Sequence, residues 1–414
     1  SKPIALPGAS SGANNFFDKI KALLVGRASA RACVVTGDTF KGSHNLLSVV
    51  DLVSGRIDAP IRLPARVHFV DVDRSGEFLL TLPDDKVVPG VQGNPAPPVG
   101  VWRITADTVE PVRGWDPQNP TNIHKGAPSF AEFIDADHVV CVAFPNMLSV
   151  WNVPEAKALW STEIATGSTP VVSPGGKYLA VAVGERICIL DALTGNTAGC
   201  LASVPGAGGR LSFRPDGAQL AALSSQRLVV WDLGSGAVYR DIAFSTSVGS
   251  GSVDWLYGGY VLCGGSSLVD LERRVVIWKY LGDATGAALG GWGEFGGQFW
   301  YALQTDGAQQ RALYPVALPH DSVRRVSAGL DPEQLLAVRP GATFTIDVRV
   351  QGTAAEQQQV QKALADRLAA AGMTVGNGAP LVLQASTETG KNREMSYRAF
   401  GRGRGEAEKV TVTE

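Results

Sequence analysis

The sequence predicts a mainly β protein: about seven four-stranded units closed into a β-propeller, followed by a small α+β module of β-α-β-β order. Three observations carry this expectation. An apolar strand that runs into Asp and then Gly recurs as LLSVVDLVSG at 46–55, RICILDALTG at 186–195 and RLVVWDLGSG at 227–236. Asp191 and Asp232 lie 41 positions apart, and SPGGKYLAVA from Ser173 and RPDGAQLAAL from Arg214 keep the same offset, so two features repeat in register. A period near 40 residues is the length of one propeller blade. Beyond Asp321 the alternation gives way to a strand, a capped helix and further strands.

Taken in chain order, residues 1–29 form an N-terminal segment. Within it NNFFDKIKALLVG at 14–26 places Phe16, Phe17, Ile20, Leu23 and Leu24 at helical spacing, which predicts a short amphipathic helix docked on the body that follows. Residues 30–320 hold the repeats. Each unit reads as a strand, a Pro/Gly turn, a second strand, a brief polar turn, the Asp-ending strand and a fourth strand, with glycine supplying backbone angles that other residues resist. Weaker copies keep the apolar strand around Trp102, Trp151 and Trp278 but carry Arg103, Asn152 and Lys279 in place of Asp. The turn recurs from Asp73, Asp135 and Leu256, and the final unit, around GGWGEFGGQFWYALQ, is the most divergent. Inside the second unit, residues 84–99 interrupt the strands with Pro89, Pro95, Pro97 and Pro98. Loops of that length in a compact domain are often functional.

Residues 321–334 read as a linker and 335–414 as the α+β module. In ATFTIDVRVQG, Phe344, Ile346, Val348 and Val350 alternate with Thr345, Asp347 and Arg349, the pattern of a half-buried strand. Thr353 and Glu356 make a T-x-x-E capping box, and Val360, Leu364, Leu368 and Ala371 form an apolar stripe that stops at Gly372. PLVLQAST, EMSYRAF and EKVTVTE supply up to three more strands.

The repeats at 30–320 resemble a WD40-type β-propeller, most closely in VVWDLGSG with Trp231 and Asp232 and in CILDALTG with Asp191. The Gly-His pair that usually opens a WD40 unit is missing throughout, which separates this chain from the family's buried hydrogen-bond network but not from its blade geometry. The appended module is similar to modules of bacterial WD40-like proteins, a likeness that implies no activity.

Composition bounds the chemistry. The 414 residues are 45% hydrophobic and 18% charged, enough for a large core, and a formal charge of -2 without blocks of like charge offers no footprint for nucleic acid or an anionic membrane. No apolar run reaches the roughly 18 residues a membrane span needs. The five cysteines, Cys33, Cys141, Cys188, Cys200 and Cys263, lack Cys-x-x-Cys spacing and are expected as buried free thiols. The five histidines stand alone, so no metal site is expected, and no cofactor either. GWGEFG at 291–296 matches G-x-G-x-x-G but lies in a β unit, whereas a dinucleotide needs that loop at a helix N-terminus. Asp51, Asp191 and Asp232 suit turns held by local backbone hydrogen bonds.

Two functions follow as expectations. The first is a non-catalytic scaffold for protein partners, using the loop residues Asp84, Asp85, Lys86, Pro89, Pro95, Pro97 and Pro98 and the basic residues Lys391, Arg393, Arg402 and Arg404, with self-association possible through the C-terminal module. The second is an enzyme or a binder of a small ligand or metal in the central channel, since one fold hosts many functions.

Overall fold

The computed structural model describes residues 2–6, 18–26, 28–38, 45–64, 67–83, 99–117, 128–143, 146–184, 186–204, 209–249, 251–280, 289–304, 311–330, 341–387, 393–397 and 408–412. They divide into two compact units, Ser1–Ser327 and Ala328–Glu414.

The first unit is a seven-bladed β-propeller of four-stranded antiparallel sheets. Blades one to six run in sequence order at 18–62, 67–115, 130–163, 171–200, 210–243 and 253–279. In each, the first strand is innermost and the fourth outermost. The seventh blade is composite. Leu289–Phe295, Gln298–Gln304 and Arg311–Val316 provide three strands, and Ile4–Ala5 from the start of the chain pairs antiparallel to the last of them, Ile4 opposite Leu313. The two ends of the repeat array thus share one sheet, which closes the ring and leaves only the two-residue strand Ile4–Ala5 at the outer edge of that blade.

Seven apolar clusters fill the ring, one across each blade-to-blade contact. Cys33, Leu47 and Ile61 of blade one meet Phe69, Leu79 and Val109 of blade two, for example. The closing contact packs Ile20, Leu23, Val34 and Val50 of blade one with Trp300, Ala302 and Leu313 of blade seven and Leu6. Strands in the middle of each sheet bury side chains on both faces, as in Gln219–Ser224, which is almost entirely buried, and so read as continuous apolar runs.

This double-sided burial explains why residues 18–25 look helical in sequence yet are not. Asp18–Val25 is the innermost strand of blade one. Leu23 packs toward blade seven and Leu24 toward blade two, and a bulge between Ile20 and Ala22 shifts the alternation. Apolar residues three and four apart therefore arise without a helix, and the propeller begins before residue 30. Phe16 and Phe17 lie outside the described residues.

Residues 321–329, read as part of a linker, form helix α1, Asp321–Gly329. Val323 is fully buried and joins Leu256, Leu262, Leu268, Phe299 and Leu318 in the cluster between blades six and seven. Ser327 accepts a 2.7 Å hydrogen bond from Tyr260 Oη, and Asp270, itself 3% exposed, accepts from Arg273 Nη1 at 2.9 Å. These contacts fix the point at which the chain leaves the propeller.

In the second unit Thr343–Arg349 is the central strand, flanked by Thr374–Val375 and Leu381–Ser386, both parallel to it. Helix α2, Ala354–Ala370, connects the first two. The capping box is formed: Glu356 N donates to Thr353 Oγ1 at 3.3 Å and Thr353 N to Glu356 Oε2 at 2.7 Å. The short Thr374–Val375 strand has no counterpart in the sequence pattern. Arg393–Tyr397 and Glu408–Val412 pair with each other as a separate hairpin.

Candidate functional site

The repeated turns organise one face of the propeller. At the end of the third strands of blades one, four and five, Asp51, Asp191 and Asp232 each accept, on Oδ1, a hydrogen bond from the amide three residues on: Ser54 at 2.7 Å, Thr194 at 2.9 Å and Ser235 at 2.9 Å. Gly55, Gly195 and Gly236 follow at φ near +70°, the left-handed region that favours glycine. These bonds, from side-chain hydroxyls of Ser54, Thr194 and Ser235 as well as amides, hold all three carboxyls below the usual carboxylate range. They are turn-makers. The same turns and those after the first strands lift apolar side chains into solvent: Val53 is 77% exposed and Tyr257 71%, with Leu193 nearly half exposed.

The innermost strands enclose a central channel. A cavity of about 750 Å³ opens to the turn face and is bordered by Asp71, Arg74, Asp254, Trp255, Trp292 and Glu294, among others. A second cavity of about 320 Å³ at the other end includes Asp71, Glu132, Arg210 and Ser252. Arg74 Nη2 reaches from blade two to the Pro174 carbonyl of blade four at 2.7 Å, and Arg210 Nη1 donates to Thr169 Oγ1 at 3.1 Å. Asp71 Oδ2 accepts from Phe133 N of the next blade at 2.8 Å. Burial raises the pKa of Asp254, whose carboxylate takes a 2.9 Å bond from Ser252 Oγ. Among the described residues four carboxyl groups thus share the channel with two guanidinium groups, Asp254 being the one that burial shifts toward its neutral form.

No described histidine borders either cavity, although His68 lies on Val67–Val72, the innermost strand of blade two. His138 Nδ1 is 2.9 Å from Asp135 Oδ1, and His320 stands edge-on to Trp278 and Tyr280. Among the described residues no group of three or more His, Cys, Asp or Glu is placed to hold a metal ion.

Of the candidate partner-binding residues, Asp84, Asp85, Lys86, Pro89, Pro95, Pro97, Pro98, Lys391, Arg402 and Arg404 lie outside the described residues. The flanking residues Pro83 and Val99 end the second strand and begin the third strand of blade two. Arg393 is opposite Val412 in the C-terminal hairpin. GWGEFG continues through strand Leu289–Phe295 into the Gly296–Gly297 turn and another strand, with no helix there. Gly293 has a packing reason instead, because a Cβ there would collide with the Val25 side chain of blade one.

The cysteine expectation needs correction. Cys33, Cys141 and Cys263 are free and buried, and burial pushes the Cys33 and Cys263 thiols up to about 12. Cys188 and Cys200, however, form a disulfide. They are register partners on the third and fourth strands of blade four, with Cα atoms 4.0 Å apart. Twelve residues of separation concealed a pairing that only the hairpin brings about.

Pattern reading also missed a cleft of about 500 Å³ between blades four and five. Its walls come from two repeats, and its one trace in the sequence is the run of glycines in successive turns.

No protein-family model matches this chain, and neither does any curated protein. Among the described residues no helix is long and apolar enough to cross a membrane.

Proposed function

We propose that this chain is a WD40-like interaction scaffold that binds protein partners through the turn face of its propeller. The observation that carries the reading is the exposure of Val53, Leu193 and Tyr257 on turns that a monomer could build with polar residues. The loop at 84–98 and the basic residues near the C-terminus are further contact candidates. The second unit, which exposes Val375 and Val382 on its three-stranded sheet, is the candidate assembly module.

The test is purification from native cells under mild conditions, with the mass of the complex and its components measured. A stoichiometric partner lost in Val53→Asp, Leu193→Asp or Tyr257→Asp proteins of unchanged thermal stability supports the turn face. A partner retained in all three redirects attention to the 84–98 loop and the second unit. A monomer that carries a metal or a small molecule instead supports the second reading, a ligand-binding channel, which the four channel carboxyls favour.

A further inference from the structure

The cleft between blades four and five has three properties that converge. Its wall is apolar and partly aromatic, built by Tyr178, Ile189, Leu201, Phe213 and Leu233. A volume of about 500 Å³ with few polar groups falls in the range of small-molecule sites. The Cys188–Cys200 disulfide ties the outer strand that carries part of this wall to its neighbour, so the shape is largely preformed.

Gly217 and Gly236 at its border have φ near +70°, as their turns require, but two other glycines there do not. Gly175 and Gly199 both border the cleft, neither has the positive φ that excludes side chains, and a Cβ at either would meet no atom within 4 Å. Backbone conformation and packing thus leave both positions free to carry side chains, which would narrow the cleft. Glycine at both keeps it open.

The charges at its border are unequal. Asp216 is compensated by Arg214 Nε at 3.2 Å and by the Ala218 amide at 2.9 Å. Lys177 has no ion pair within 4 Å among the described residues; its ammonium stands 5.1 Å from the Tyr178 ring centroid. Asp191, which feels the Lys177 charge, is committed to its own turn through the Leu193 and Thr194 amides. A single uncompensated cation beside an aromatic wall selects a ligand with the opposite charge and a ring.

We propose that the cleft binds a small aromatic molecule carrying one negative charge, its ring against the apolar wall and its anionic group on Lys177. The cleft borders the same turn face, with Gly175, Gly217 and Gly236 at its edge, but its ligand is a small molecule and not a protein partner, so the proposal stands or falls without the scaffold reading.

Calorimetric titration of the full chain with naphthoate tests it, with uncharged naphthamide as the matched probe. The expected result is saturable binding of one naphthoate per chain, weakened about tenfold or more by Gly199→Leu, which fills the cleft, and about fivefold by Lys177→Gln, while naphthamide is indifferent to Lys177→Gln. Thermal unfolding checks that each variant is folded, and Gly175→Leu fills the cleft from the other blade-four wall should Gly199→Leu fail to fold. The proposal is overturned by absent or non-saturable naphthoate binding, by binding that survives both leucine variants, or by equal loss of naphthoate and naphthamide in Lys177→Gln.

Discussion

At the scale of single residues, the clearest expectation concerns thiols. Denatured but unreduced protein should react with three equivalents of a thiol reagent and reduced protein with five, because Cys188 and Cys200 are joined while Cys33, Cys141 and Cys263 are free; five in both states would contradict the disulfide. The turn aspartates make a pH prediction. Their folded pKa values are lowered, so the stability they contribute is present above the ordinary carboxylate pKa and disappears as pH falls through the lowered folded values. Thermal midpoints measured between about pH 6 and about pH 3 should therefore fall more steeply for the native chain than for an Asp51→Asn, Asp191→Asn, Asp232→Asn protein. Gly293 is fixed by a neighbour. Gly293→Ala forces a methyl into Val25 and should cost about 1–3 kcal/mol in denaturant unfolding. The aspartate turns were readable from sequence because every contact they make is local. The Val25 contact was not, since its partner lies more than 250 positions away in the chain.

Among the elements, the two-residue strand Ile4–Ala5 has an effect larger than its length. It covers the outer edge of Arg311–Val316 and brings Leu6 into the closing core. Deleting residues 1–6 should lower the thermal midpoint and promote association through the uncovered edge, visible by light scattering, whereas an unchanged monomer would show that closure rests on side-chain packing alone. Helix α1 makes a second case. Asp270→Ala would remove the acceptor that Arg273 and Ser327 share, and because that carboxylate is buried the variant should show a lower thermal midpoint than the native chain. Neither element was legible beforehand. A two-residue strand has no periodicity to detect, and α1 was hidden in an expected linker because its few buried residues gain meaning only against blade six. Helix α2 was legible, since its capping box and apolar stripe are local patterns.

For the whole molecule, the division at Ser327 and Ala328 predicts that a fragment of residues 1–330 retains the propeller's cooperative unfolding, because all seven interblade clusters lie within it. Calorimetry of the fragment beside the full chain checks this, and a fragment without a transition would refute it. The seven-unit repeat was visible in sequence because each blade writes its strands and turns in nearly the same order. Sequence by itself therefore determined the blade as a unit, the approximate number of blades and the turn chemistry at Asp51, Asp191 and Asp232. Tertiary structure alone decided how the ring closes, which cysteines pair, that residues 18–25 are a strand, and where the channel and the cleft lie. The physical reason is range: alternation, capping and turns are satisfied within a few residues, whereas closure, the interblade cores and the cavities are made by side chains from different repeats that meet only when the ring is complete.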